Sequence, residues 1–274
     1  MDIQIILVYC MCDDLLKALN HREDPQRQLC DAEIMTIAIV AALYFGGNYA
    51  LSRTFLKEQG YIPNMLGKSR FSRRLNSVSH HFLSLFDVLS NMWKELNQDS
   101  IYIVDTFPVA ACDNIRIPRC RLYQGEAYRG YTASKKRYFY GLKIHMMVTK
   151  DGQPVEFFLS CGSTSDTSGL EVFDFDLPKG AIVFGDKAYN YYVIEDQLSE
   201  CGIRLIPIRK KNSHRQLPPW MEYLQQHYRK MIETAGSMIE RLLPKSIHAT
   251  NATGFEIKVT LFSLASSINC IQYA

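Results

Sequence analysis

Two short, almost wholly apolar runs each end in an aspartate. Ile101-Tyr102-Ile103-Val104 leads directly into Asp105, and Ala181-Ile182-Val183-Phe184 leads through Gly185 into Asp186. Runs without polar alternation are what strands covered on both faces look like. If the two strands are parallel neighbours, they lie about 4.8 Å apart. Their carboxylates then converge at the C-terminal edge of the sheet, where open α/β sheets place their ligands. Two carboxylates so close repel each other unless a cation lies between them, and hard oxygen donors suit Mg²⁺ or Mn²⁺. Either aspartate alone reads as a turn or helix-cap residue. The pair, in the element order below, favours a cation site.

The stretch before Asn97 reads as helical. Asp31 is expected to cap a helix through Ile34, Ile37, Ala41 and Phe45 that ends at Gly46-Gly47, and Asn48 to cap the next. Ser69 is expected to open a short basic helix with Arg70, Arg73 and Arg74, and a further helix to run from His80 to Leu96. Short helices, tight glycine turns and an arginine cluster suggest a helix-turn-helix-like, DNA-binding arrangement. Asn97 to Ser100 is polar and reads as a junction. We therefore expect a helical domain over 1–97 and a catalytic α/β domain over 98–274, with a long loop insertion at 106–138. Beyond that loop come a strand from Tyr138 to Thr149, a turn at Asp151-Gly152, and a returning strand from Val155 to Ser160. A short helix from Thr167 to Asp176, the strand before Asp186, a helix from Tyr189 to Cys201, a strand from Ile203 to Ile208 and two final helices complete the order. A hairpin followed by alternating α and β predicts a mixed sheet with helices on its faces, the ribonuclease H-like pattern.

A third metal ligand has to come from elsewhere. In the expected helix from Trp220 to Leu243, Leu224, Tyr228, Met231, Ala235, Met238 and Leu242 form an apolar stripe. Arg229, Glu233 and Glu240 fall on the opposite face. Periodicity alone makes Glu233 a solvated surface residue; it becomes a ligand only if that face overlooks the edge bearing Asp105 and Asp186.

The formal net charge of the 274-residue chain is only +3, so distribution matters more than total. Arg129, Lys135, Lys136, Arg137 and Lys143 form one acid-free run, interleaved with Tyr131, Tyr138, Phe139 and Tyr140. Arg204, Arg209, Lys210, Lys211 and Arg215 form another. A single basic run reads as a solvated face, whereas two, one of them rich in aromatics, point to nucleic acid. His145 reads as a packing residue and Asp166 as a helix cap. The eight cysteines form no C-x-x-C pair, read as buried free thiols, and fit a reducing cytoplasm. No signal peptide or membrane span is expected.

Several blocks together resemble the DDE transposases of bacterial insertion sequences, most closely the IS982 family. They are Tyr102-Ile103-Val104-Asp105, Phe139-Tyr140-Gly141-Leu142-Lys143-Ile144-His145, Asp151-Gly152, Ser165-Asp166, Gly185-Asp186-Lys187-Ala188-Tyr189 and Arg229-Lys230-Met231-Ile232-Glu233-Thr234. The resemblance runs from about Leu29 to the C-terminus. It implies a ribonuclease H-like catalytic domain in which Asp105, Asp186 and Glu233 hold two Mg²⁺ or Mn²⁺ ions for in-line displacement at phosphorus. Asp105 would bridge both ions. It also implies double-stranded DNA as partner, both element ends and target, with a homodimer in the active complex and a bacterial, nucleoid-associated setting. Arg229 matches an arginine of related transposases. Gln226 and Glu240 stand where wider relatives have tyrosine and lysine, and Glu240 is the alternative third ligand. Phosphate contacts are expected from Arg70, Arg73, Arg74, Lys135, Lys136, Arg137, Lys143, Lys187, Arg209, Lys210, Lys211 and Arg229. The competing readings are a ribonuclease H-like nuclease that never joins strands, a catalytically inactive transposase-derived DNA-binding protein, and an α/β protein whose acids are structural.

Overall fold

A computed structural model describes residues 1–132, 136–209, 212–224, 243–244 and 247–271. The chain divides into two compact units: Met1–Leu89 with Arg241–Ala274, and Ser90–Glu240.

The first unit is helical: α1 (Asp2–Ala18), α2 (Asp31–Tyr44), α3 (Tyr49–Glu58), α4 (Lys68–Val78), the start of α5 (His81–Leu96) and the last helix α8 (Ala252–Cys270). The N-cap of α2 is Cys30, not Asp31. The Cys30 sulfur accepts from the Glu33 backbone, and the Glu33 carboxylate accepts from the Cys30 N–H, the reciprocal arrangement that satisfies two otherwise unpaired donors. Asn48 caps α3 as expected, accepting from Ala50 and Leu51. Between them Gly46 and Gly47 take φ of +54° and +76°, which lets α2 and α3 meet at 110°. The Arg70/Arg73/Arg74 cluster lies one helix later, on α4. Almost every residue of α2 is buried, because α1, α3, α4 and α8 all pack against it. The last helix, expected with the catalytic domain, therefore belongs to the helical unit. Among the described residues no single helix is long and apolar enough to cross a membrane.

The second unit is built on a six-stranded mixed sheet: β1 (Ile101–Asp113), β2 (Arg129–Thr132), β3 (Arg137–Thr149), β4 (Pro154–Cys161), β5 (Ile182–Gly185) and β6 (Arg204–Pro207). The order is β2-β3-β1-β5-β6, with β4 also pairing β3. β1 is antiparallel to β3 and parallel to β5, which is parallel to β6. Helices α6 (Asp166–Leu170) and α7 (Tyr192–Glu200) flank the last strands.

The expected long loop at 106–138 is mostly ordered. β1 does not stop at Asp105 but stays paired with β3 to Asp113↔Phe139. Since β5 ends at Gly185, the described ladder leaves the outer part of β1 paired only with β3, where Pro108 is tolerated despite its missing N–H. A register shift between Ala110 and Cys112 bends the strand. Gly141 sits opposite, where a Cβ would come within 2.2 Å of the Val109 carbonyl oxygen. Two 3-10 turns, Asn114–Arg119 and Glu126–Tyr128, and the short β2 make up most of the rest. The cysteines also differ from expectation: all are free, but only Cys12 and Cys270 are buried, and Cys10 and Cys201 are exposed.

Candidate active site

β1 and β5 run parallel and in register from Ile101↔Ile182 to Val104↔Gly185. The next residues are Asp105 and Asp186, so two carboxylates stand at adjacent positions on neighbouring strands spaced by about 4.8 Å. Asp105 is half-buried and Asp186 exposed. Each is fixed by a local hydrogen bond. Asp105 Oδ1 accepts from the Thr106 N–H at 2.8 Å. Asp186 Oδ1 accepts from the Ala188 N–H at 2.6 Å and caps the 3-10 turn Lys187–Tyr189.

A polar chain runs from Thr106, beside Asp105, into the buried His145 and Tyr189. The Thr106 hydroxyl is 2.8 Å from the Tyr189 hydroxyl and 3.1 Å from His145 Nδ1, and His145 Nε2 is 2.8 Å from Ser160 Oγ. His145 is fully buried and stacks on Phe158 at 4.6 Å. Burial lowers its pKa to about 4, with Lys143 lowering it further and Asp166 opposing, so the ring is neutral. Tyr189 is pushed well above the ordinary tyrosine value, first by burial and then by the charge of Asp105, with Asp166 and Asp186 adding to it and Thr106 opposing. Three carboxylates thus act on one phenolic oxygen. Asp166 is paired with Lys143, whose Nζ also donates to the Thr164 carbonyl at 2.6 Å. The donor set at the strand ends, carboxylate oxygen in a locally negative field, fits a hard divalent cation.

The loop after Asp186 is clamped from both sides. Thr167 Oγ1 donates to the Ala188 carbonyl at 3.1 Å, and Asn190 Nδ2 donates to the carbonyls of Lys187 and Ile208. Gly185 leaves room for the Tyr189 ring, which a Cβ there would meet at 2.9 Å. Downstream, Met221 packs on Phe184 of β5 and Ile206 of β6. The segment that leads to Glu233 therefore starts against the strands beside Asp186. Glu233 itself, with Gln226, Arg229 and Glu240, lies outside the described residues.

The basic residues separate into two groups. Arg70 and Arg73 are exposed on α4 and, with Gln26, Gln28 and Leu66, line an open cleft of about 380 Å³. Lys136 and Lys187 are also exposed. Others are paired with acids within their own unit. Arg74 binds Asp31 and the Leu29 carbonyl. Arg137 faces Asp113 at 3.5 Å, and Lys143 is committed to Asp166 and Thr164. Arg209 makes a buried two-pronged pair with Glu195 at 2.7 and 2.8 Å. The runs are acid-free in sequence, but folding brings acids from other elements onto them. Lys135, Lys210 and Lys211 lie outside the described residues.

Thr106, Ser160 and Glu195 were given no role by the sequence reading, and Tyr189 entered it only as the last residue of the block Gly185-Asp186-Lys187-Ala188-Tyr189 and the first of an expected helix. The nearest signals were that Thr106 follows Asp105 and that a glycine precedes the loop to Tyr189. Neither shows a partner without the register Thr106↔His145.

Residues 95–248 match the family described as Transposase DDE domain. No curated protein matches the chain. A solved structure, the cryo-EM structure of a piggyBac transposase synaptic complex with hairpin DNA, aligns with a TM-score of 0.43 and 11% identity over 95% of this chain and 71% of that one. A likeness that low bears on neither fold nor function.

Proposed function

This chain belongs to the transposase DDE domain family, and from that membership we propose that it cuts DNA at the ends of a mobile element and joins the freed 3′-hydroxyls to target DNA. The observation that carries the proposal is the parallel register of β1 and β5, which ends on Asp105 and Asp186. We read the sheet as ribonuclease H-like: three antiparallel strands in the spatial order β4-β3-β1, then β5 and β6 parallel to β1.

In this reading Asp105, Asp186 and Glu233 hold two Mg²⁺ or Mn²⁺ ions. Bound there, the ions supply activation of the attacking water or 3′-hydroxyl and stabilisation of the leaving 3′-oxygen. The protein's own part is positioning. The Thr106–Tyr189 hydrogen bond ties the residue after Asp105 to the loop after Asp186, so the two carboxylates keep their spacing. Thr167 and Asn190 hold that loop from above and below. Lys187 and Lys136, and Arg70 and Arg73 in the helical unit, are the exposed cations offered to phosphates. Pairing two DNA ends calls for a dimer in the active complex, and the resemblance of the blocks to the IS982 family supports reading the element as bacterial and acting in the cytoplasm.

The test uses end-bearing DNA with Mg²⁺. Asp105→Asn, Asp186→Asn and Glu233→Gln should each abolish cleavage and strand transfer while DNA binding persists. Full activity in Glu233→Gln with loss in Glu240→Gln would move the third ligand to Glu240. Cleavage without any strand transfer by the unaltered protein would favour the nuclease reading.

A further inference from the structure

The stretch between α1 and α2 gathers a second set of metal-binding side chains, within the helical unit. One ligand atom from each of His21, Glu23 and Asp31 lies within 4.8 Å of the other two. His21 Nε2 is 2.8 Å from Asp31 Oδ2, and Glu23 Oε1 accepts the Asp31 N–H at 3.1 Å. Arg74 takes the other oxygen of Asp31, and Arg27 lies against the other oxygen of Glu23.

His81 supplies an independent observation. It opens α5, is only 6% exposed, and among the described residues neither of its ring nitrogens has a hydrogen-bond partner. Its ring meets that of His21 edge-on, with centroids 4.8 Å apart, and His80 lies on its other side at 3.9 Å. An imidazole always carries polar nitrogens, and a buried one left unsatisfied costs about 1–3 kcal/mol per group. Such a group in a native interior points to a missing partner.

We propose that His21, Glu23, Asp31 and His81 form a four-ligand site for a divalent transition cation of the zinc type. Two imidazoles and two carboxylates are a borderline donor set that suits Zn²⁺ better than Mg²⁺. Among His21, Glu23 and Asp31 little movement is needed; His81, outside that 4.8 Å group, has to bring a ring nitrogen in by turning its side chain. Ligands at zinc distances stand roughly 3.3 Å from one another, so the His21–Asp31 contact opens by about half an ångström. Asp31 keeps Arg74 on its second oxygen and Glu23 keeps Arg27, as outer partners commonly orient metal-bound carboxylates. The ion would fasten the segment after α1 to the first turns of α2 and α5, a structural role separate from the chemistry at Asp105 and Asp186.

The experiment uses the full chain carrying Asp105→Asn and Asp186→Asn, so the outcome is independent of the proposed active site. After chelation, Zn²⁺ is titrated by calorimetry and Co²⁺ by absorption. The proposal expects a single saturable equivalent, a higher Tm with Zn²⁺, and tetrahedral d–d bands without thiolate-to-cobalt bands. It also expects affinity lower by about tenfold or more in His21→Gln, Glu23→Gln and His81→Gln, at least the loss that outer-partner removal causes, with unchanged far-UV circular dichroism. Absence of saturable binding, thiolate bands that place the ion on cysteine, or unchanged affinity in any of these variants that keeps its fold would overturn the four-ligand site.

Discussion

His145 carries two consequences of full burial. Its pKa falls from 6.5 to about 4, so between those pH values the unfolded chain binds a proton that the folded one excludes. The contribution of His145 to stability is then fully present above about pH 6.5 and is lost as pH drops through that window toward pH 4. Over the window His145 should account for roughly 3 kcal/mol, and urea unfolding of His145→Gln should lack that part of the decline. The second consequence is steric. Gly169 faces the ring so closely that a Cβ would sit 2.3 Å from Nδ1, so Gly169→Ala should cost about 1–3 kcal/mol by overpacking. Thr106→Val tests the same chain from the other side. It strands the Tyr189 hydroxyl and His145 Nδ1 and should cost about 1–3 kcal/mol, and it should slow cleavage if the Thr106 bond fixes the spacing of Asp105 and Asp186.

At the scale of elements, α7 determines what the second basic run does. Glu195 and Asp196 on α7 receive Arg209 and Arg215, and the Arg209–Glu195 pair has side chains only 8% and 6% exposed. Breaking one partner of such a pair is costly because the other charge is left buried. Arg209→Ala should therefore destabilise the chain by about 3–5 kcal/mol, and Arg209→Met with Glu195→Leu should restore most of it. A DNA contact would behave differently, with weaker binding at unchanged stability. Chemical denaturation and a DNA-binding titration on the same variants separate the two. Strand β1 teaches a related point. Pro108 and the mixed composition after Asp105 suggested a loop, yet pairing with β3 carries the strand to Asp113, because ladder hydrogen bonds from a long partner outweigh local preference.

At the scale of the whole molecule, the chain's two ends build one unit. α8 buries Phe255, Phe262, Leu264 and Ile268, and Phe262 lies against Gly47 in the turn between α2 and α3. Removing residues 251–274 would expose the apolar α2, at about 25 cal/mol for each Å² uncovered. The truncated protein should lose cooperative melting of the helical unit, visible as a flattened calorimetric transition. Cutting the chain at 97 should give a helical fragment with the same defect, since it also lacks α8.

The sequence by itself determined most of the elements, though not those within 106–138, and the two strand-end acids. Strand runs, the Asn48 cap and the Gly46-Gly47 turn are local, written in residues a few positions apart. Asp105 and Asp186 were legible because each closes a buried run, whereas Glu233 was proposed from the family blocks and lies outside the described residues. Only the tertiary structure decided that β1 and β5 are parallel neighbours, that Thr106 meets Tyr189 and His145, and that Arg74, Lys143 and Arg209 spend their charges on Asp31, Asp166 and Glu195. It also decided that α8 completes the N-terminal helices. These depend on register and on partners far apart in sequence, and a one-residue slip between β1 and β3 would turn His145 away from Thr106.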